Sequence, residues 1–160
     1  MSFTILAGHH LGQINVATAL YDLDAPEMAD FMGALAAVNA IAERSEGFVW
    51  RLQDDTGEGA TSLRVSDDPR MIVQMSVWSD VAALEHFVWN TVHAKIFARR
   101  SAWFRPDPTP ALAFWFQPAD KLATLAAGYA RLEHLRRVGP SDHAFGWAEL
   151  KEAGLWRERR

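Results

Sequence analysis

The eight residues Met71–Trp78 constrain the fold more than any other stretch of this chain. They are apolar at every position except Gln74 and Ser76, so a β-strand formed by them presents apolar side chains on both faces. A strand of this kind needs cover on both sides. The rest of the sequence must therefore supply neighbouring strands and a packing layer above and below the sheet.

Patterns of apolar residues predict the elements around that strand. They predict four further strands, at residues 11–17, 48–53, 60–65 and 111–117. Apolar residues at spacings of three and four predict three helices, at residues 26–44, 81–100 and 121–138. Asn90–Thr91 marks a kink or a join within the second helix, and the tail beyond Ser141 is expected to pack back through its aromatic residues.

This order of elements predicts one α+β domain over residues 1–160, with a core at about 9–118 and a C-terminal helix and aromatic tail at 121–160. The core is a ferredoxin-like split βαβ pattern, an antiparallel sheet with helices on one face. The other face then lacks a cover. We expect a second copy of the sheet to supply it, so that two chains pair as a dimeric α+β barrel.

Composition excludes several classes of function. The chain has no cysteine, which removes disulfides, thiolate nucleophiles and zinc-finger or iron–sulfur ligation. Its net charge of −4 argues against a nucleic-acid partner. No apolar run approaches the roughly 18 residues of a membrane span, and the N-terminus does not resemble a signal peptide. We therefore expect a cytoplasmic protein without a nucleic-acid or membrane partner.

His93 is the strongest candidate for catalysis. On a helix it shares a stripe with Trp89 and Arg100, four residues before it and seven after it. Imidazole exchanges protons near neutral pH and can also ligate haem iron. The alternative is a partly buried histidine bonded to backbone. His86 lies two turns from His93, too far to share a metal with it, and we expect no metal site.

Three polar residues stand on elements that otherwise bury apolar surface, namely Asn15, Asn39 and Arg51. Buried amides and guanidinium groups must be paired, so each could hold a carbonyl or an oxyanion of a ligand. The alternatives are backbone bridging for Asn39 and an ion pair with Asp or Glu for Arg51. Arg100, in a small basic cluster, could meet an acidic ligand group or lie at a solvated helix end.

The chain contains seven tryptophans, a large number for one domain. Four of them are expected to line an aromatic-walled pocket, and they are Trp50, Trp78, Trp103 and Trp115. Each could instead belong to the core or to a dimer interface. As a group they indicate an apolar, planar ligand.

Several motifs together resemble a known family. They are Val38–Glu43, Gly47–Leu52, Ala60–Arg64, Asp67–Arg70, Ser76–Trp78, His93, Arg99–Arg100 and Trp103–Phe104. The chain is similar in these to the domain of unknown function 3291 family, over about residues 9–146. That family resembles the dimeric α+β barrels, which include cofactor-independent antibiotic-biosynthesis monooxygenases, haem-degrading proteins and related enzymes.

The resemblance implies a small-molecule enzyme of the cofactor-independent monooxygenase or isomerase type. In it, His93 would be the acid or base and Asn39 and Asn15 would orient the ligand. Two alternatives stay open: a dimer that binds a small molecule without turnover, and a haem-binding or haem-degrading protein with His93 as proximal ligand.

Overall fold

The computed structural model describes residues 1–57 and 59–160. Four strands form one antiparallel sheet in the order β2-β3-β1-β4, which is the ferredoxin-like order. The strands are β1 His9–Thr18, β2 Phe48–Arg51, β3 Met71–Trp78 and β4 Leu112–Pro118. The helices are α1 Ala29–Arg44, α2 Val81–Asn90, α3 Val92–Ala98, α4 Leu125–Val138 and α5 Gly154–Glu158. The predicted α+β class and split βαβ pattern are confirmed.

The join between α2 and α3 follows from local hydrogen bonding. Thr91 has extended backbone, and its hydroxyl accepts from the backbone N–H of His93 at 3.2 Å, as an N-cap. The same hydroxyl donates to the carbonyl of Phe87 at 2.5 Å. The predicted interruption at Asn90–Thr91 is therefore confirmed, and α3 ends at Ala98, before Arg100.

The two faces of the sheet have different covers. On one face, which we call the cavity face, side chains of Leu11, Trp78 and Phe114 point towards α1 and α2. On the other, which we call the α4 face, Ile14 and Met75 belong to a cluster completed by α4. Successive strand residues alternate between these faces.

The α4 face does not need a second copy of the sheet, which corrects the packing argument made from the sequence. Leu132 and Leu135 of α4 cover this face, and Ile14, Val73 and Met75 beneath them are at most 2% exposed. Gly128 allows the close approach, since a Cβ there would lie 2.4 Å from the sulfur of Met75. The homodimer stays a prediction, but an uncovered sheet face no longer supports it.

One predicted strand does not form, and one predicted helix begins later than expected. Residues 60–65 form turns rather than a strand, because the Asp54 carboxylate accepts from the backbone N–H groups of Thr56 and Ser62. These local bonds compete with strand pairing. Helix α4 begins at Leu125 rather than residue 121, since the Thr124 hydroxyl caps it by accepting from the N–H of Ala127.

The tail packs against the sheet, as expected from its aromatic residues. Phe145 exchanges two backbone hydrogen bonds with Phe114 of β4, at 2.7 and 3.0 Å. The buried Glu85 carboxylate of α2 accepts from the N–H groups of Leu155 and Trp156 at the start of α5. In the described residues, no helix is long and apolar enough to cross a membrane.

Candidate functional site

A cavity of about 1120 Å³ lies between the cavity face of the sheet and helices α1, α2 and α3. Typical small-molecule sites have volumes of about 300–1,000 Å³ and mostly apolar walls. This cavity is large enough for a ligand of several fused rings. Its lining combines strand residues below with helix residues above, so the ferredoxin-like core positions both.

The floor of the cavity is a polar patch inside an apolar sheet. Strand register places Gln13 opposite Ser76 and Asn15 opposite Gln74, and all four side chains line the cavity. The patch interrupts a face whose surroundings are apolar, and each of its members is half-buried. Polar side chains placed in this way are suited to orienting a ligand.

Several polar groups of this floor make no hydrogen bond within the described residues. The Ser76 hydroxyl oxygen accepts from the Gln13 amide and from the Trp78 indole, both at 2.9 Å. Because both of its lone pairs are used, its hydrogen remains to be donated. Within residues 1–57 and 59–160, no hydrogen bond engages the side-chain amides of Asn15 and Gln74. Two carboxamides and one hydroxyl can therefore bond to a ligand.

His93 stands on the helical wall of the cavity with a defined orientation. Its Nδ1 lies 3.2 Å from the carbonyl oxygen of Val88. A carbonyl can only accept, so Nδ1 carries the hydrogen and Nε2 of the neutral ring carries the lone pair. The ring packs against Phe87 at 5.0 Å and Phe97 at 6.4 Å between centroids.

Burial keeps this imidazole neutral. Desolvation lowers the pKa of His93 below its usual 6.5, and the hydrogen bond to the Val88 carbonyl opposes part of that effect. At neutral pH the ring is therefore uncharged and able to accept a proton at Nε2.

The predicted aromatic residues line the cavity only in part. Trp78 and Trp103 are buried along it, and Trp89 lines it from α2. Trp89 packs edge-on against Phe97 at 5.5 Å, and its Nε1 is buried without a partner in the described part of the chain. Trp147 of the tail also reaches the cavity.

Arg51 and Asn39 lie at the end of the cavity near Gly57 and Gly59. The Arg51 Nε donates to the Glu43 carboxylate at 2.7 Å, and another guanidinium nitrogen donates to the carbonyl of Gly57. Arg51 thus forms an ion pair with Glu43 and binds the backbone at Gly57. This arrangement agrees with the alternative in which Arg51 pairs with an acidic residue. Asn39 lines the cavity from α1, and its amide lies close to Gly59.

The chain matches the family described as domain of unknown function (DUF3291) over residues 10–160. It belongs to the DUF3291 family. None of the curated proteins compared with this DUF3291 chain matches it in sequence.

Solved structures from several organisms are similar to this DUF3291 protein. A Pseudomonas aeruginosa protein is 24% identical, with 71% of this chain and 95% of that chain covered and a TM-score of 0.43. A Nitrosomonas europaea protein of unknown function is 15% identical, with coverages of 73% and 97% and a TM-score of 0.47. SnoaB, a cofactor-independent oxygenase from Streptomyces nogalater, is 18% identical, with coverages of 72% and 96% and a TM-score of 0.46.

Two residues expected at the site of this DUF3291 protein lie on the opposite face of the sheet. Trp50 pairs with Val77 and packs in the α4 cluster, while its neighbour Arg51 points to the cavity. Trp115 likewise lies on the α4 face, and its indole N–H donates to the Gln117 side chain at 2.8 Å. The expectation that Trp50 and Trp115 line this cavity is therefore corrected, because strand alternation sends both side chains to the α4 face.

Three floor residues, Gln13, Gln74 and Ser76, were missing from the predicted site. The signal was present in the sequence, since each interrupts an otherwise apolar strand face. Only the register shows that they meet Asn15 in one patch. In the described part of the chain, no three histidine or acidic side chains converge as metal ligands.

Proposed function

We propose that this protein is a small-molecule enzyme that removes a proton from an apolar, planar, hydroxylated ligand. The observation that carries the proposal is His93, a neutral imidazole that lines a large apolar cavity with its Nε2 lone pair unused in the described structure. The cavity floor supplies hydrogen-bond donors that can stabilise the anion formed when the proton leaves. Proton transfer to a positioned base is worth about 10²–10⁴ in rate.

The proposed first step moves a hydroxyl or acidic C–H proton of the ligand to Nε2 of His93. The resulting oxyanion or enolate is stabilised by N–H donors of Asn15 and Gln74 and by the Ser76 hydroxyl. Asn39, on the α1 side, orients the ligand. Aromatic walls exclude water, which strengthens each of these interactions.

Two reactions can follow from the same anion. In cofactor-independent monooxygenation, the electron-rich ligand reduces O₂ itself: a CH₂ group becomes a carbonyl, one oxygen atom enters the product, and the other leaves as water. In isomerisation, His93 returns the proton to a different atom of the ligand. Neither reaction requires a group beyond the ligand, O₂ and the chain's own residues.

Deuterium exchange tests the common step directly. We would incubate 1,8-dihydroxyanthrone with the protein in D₂O without oxygen and follow its benzylic hydrogens by NMR, then measure O₂ uptake in air. We expect faster exchange than in buffer, and a loss of about 10²-fold or more in His93→Gln. His86→Gln is the matched control, since His86 is exposed and lies outside the cavity.

The outcomes separate the candidate functions. Ligand binding without exchange or O₂ uptake would favour a non-catalytic binding protein. Equal exchange rates for the wild type and His93→Gln would remove His93 from the catalytic role. Native mass spectrometry of gently purified protein would in addition read the number of subunits, which tests the predicted homodimer, and any retained ligand.

A haem-binding role is a second candidate, because the same histidine geometry suits an iron ligand. Histidines that bind metals usually donate their other ring N–H to a carbonyl or carboxylate, as Nδ1 of His93 does to Val88. His93 would then hold the iron through Nε2, and haem would supply redox chemistry. A Soret band that appears on haem titration and is lost in His93→Gln would favour this candidate.

A further inference from the structure

Arg100 differs from the other arginines near the mouth of the cavity. Arg99 pairs with Asp30 at 2.9 Å and Arg105 pairs with Asp68 at 3.6 Å. Arg100 lines the cavity, yet no carboxylate of residues 1–57 and 59–160 lies within ion-pair distance of it. Its charge is therefore available at the opening.

The guanidinium of Arg100 is held in place by neutral groups. It lies 4.1 Å from the ring centroid of Phe97, and its Nη1 donates to the Phe97 carbonyl at 3.0 Å. Phe97 is 39% exposed and also lines the cavity, which places this pair at the boundary between cavity and solvent. One N–H of five is used in this way, so a bidentate edge remains for a carboxylate.

The charges around the cavity favour an anion at this position. Asp107 is the one carboxylate among the described lining residues, and it is engaged by the Thr109 hydroxyl at 2.7 Å and by Arg136 at 3.5 Å. The other two lining arginines, Arg51 and Arg105, are paired with Glu43 and Asp68. Arg100 is thus the lining cation whose charge a ligand can neutralise.

Contacts with Phe97 limit the distance between Arg100 and His93. The guanidinium carbon of Arg100 lies 4.1 Å from the Phe97 ring centroid, and the His93 ring centroid lies 6.4 Å from it. The two groups are therefore no farther apart than these two distances laid end to end, which a planar ligand of several fused rings can span.

We propose that Arg100 is a specificity-determining residue that selects ligands with a carboxylate at the opposite end of the planar body from the ionising hydroxyl. This inference rests on the proposed function of the same cavity. In it, the ring system fills the apolar interior, the hydroxyl end meets His93 and the sheet floor, and the carboxylate stays at the mouth. The residue binds the ligand and takes no part in proton transfer.

Matched ligands test this assignment. The probes are 4,5-dihydroxyanthraquinone-2-carboxylate and its carboxamide, which have the same shape and differ in charge, with affinity measured by titration calorimetry at low salt. We expect the wild type to bind the acid about tenfold more tightly than the amide. Arg100→Gln should bind the acid no better than the amide, with amide affinity unchanged, and Arg100→Lys should keep part of the preference.

Lys95→Gln is the matched control, because Lys95 is an exposed cation of α3, the helix just before Arg100, and does not line the cavity. It should leave the tenfold preference intact. An equal affinity for acid and amide in the wild type would overturn the role of Arg100 while leaving the proposed function standing, as would an equal loss of preference in Lys95→Gln. Failure of the wild type to bind either probe would overturn the planar-ligand function, and this inference with it.

Discussion

Gly12→Ala should destabilise the protein through the α4 face alone. Gly12 lies opposite Trp115 in the sheet, and a Cβ at Gly12 would lie 2.2–2.5 Å from three atoms of the indole ring. The ring cannot easily move away. Its N–H is bonded to Gln117, and its far edge lies 3.5 Å from the Cβ position of Gly128 in α4.

The size of the expected loss in the free energy of unfolding follows from these contacts. Carbon atoms pack at about 3.5–4.0 Å, so the indole must shift by about 1 Å or more. Overpacking of this kind destabilises by roughly 1–3 kcal/mol, and a weakened hydrogen bond adds about 1 kcal/mol. Alanine recovers about 0.5–1 kcal/mol over glycine in a strand. We expect a net loss of about 2 kcal/mol in the free energy of unfolding, or about 4–8 °C in Tm for a domain of this size.

Urea unfolding followed by tryptophan fluorescence measures this loss. Gly33→Ala is the control, since Gly33 is exposed in α1 with nothing within 4 Å of its Cβ position, and it should stabilise by about 0.5–1 kcal/mol. Probe binding by folded Gly12→Ala should match the wild type, because Trp115 does not line the cavity. A midpoint for Gly12→Ala equal to that of the wild type would refute the packing described here.

Further expectations concern the histidine and the tail. Since the pKa of His93 is lowered, exchange activity measured against pH should stay high at neutral pH and fall only as the pH drops through a value below 6.5. The folded state then binds fewer protons than the unfolded state just below pH 6.5, so the free energy of unfolding should decrease as the pH falls there, and less so in His93→Gln. Glu85→Ala leaves the N–H groups of Leu155 and Trp156 without their acceptor, and deuterium exchange by mass spectrometry should be faster at residues 154–158. A protected α5 in that variant would contradict the anchoring role of Glu85.

The sheet could be predicted from the sequence because its strands carry clear patterns. Met71–Trp78 was recognised by its two apolar faces, and its observed bounds are the predicted ones. The interruption of the second helix was visible at Asn90–Thr91, since a threonine there can cap a new helix. The positions of His93, Asn15 and Asn39 on the cavity followed from the same periodicity and the family resemblance.

The wrong predictions concern features that depend on contacts between segments distant in the sequence. Trp50 and Trp115 are expected at a pocket wall on residue type alone, but alternation along their strands places both on the α4 face. The cover over Ile14 and Met75 was assigned to a second chain, because sequence periodicity does not say which face of the sheet α4 will bury. The polar floor likewise depends on register, which is a relation between two strands.

The backbone pairing of Phe145 with Phe114 has a consequence for solubility. Strand β4 ends one side of the sheet, and its residues are largely apolar, from Leu112 to Phe116. An unprotected apolar edge strand can pair with the edge of another molecule and begin aggregation. By occupying part of that edge, the segment around Phe145 restricts such pairing, so a chain shortened after Val138 should aggregate more readily than the full-length protein.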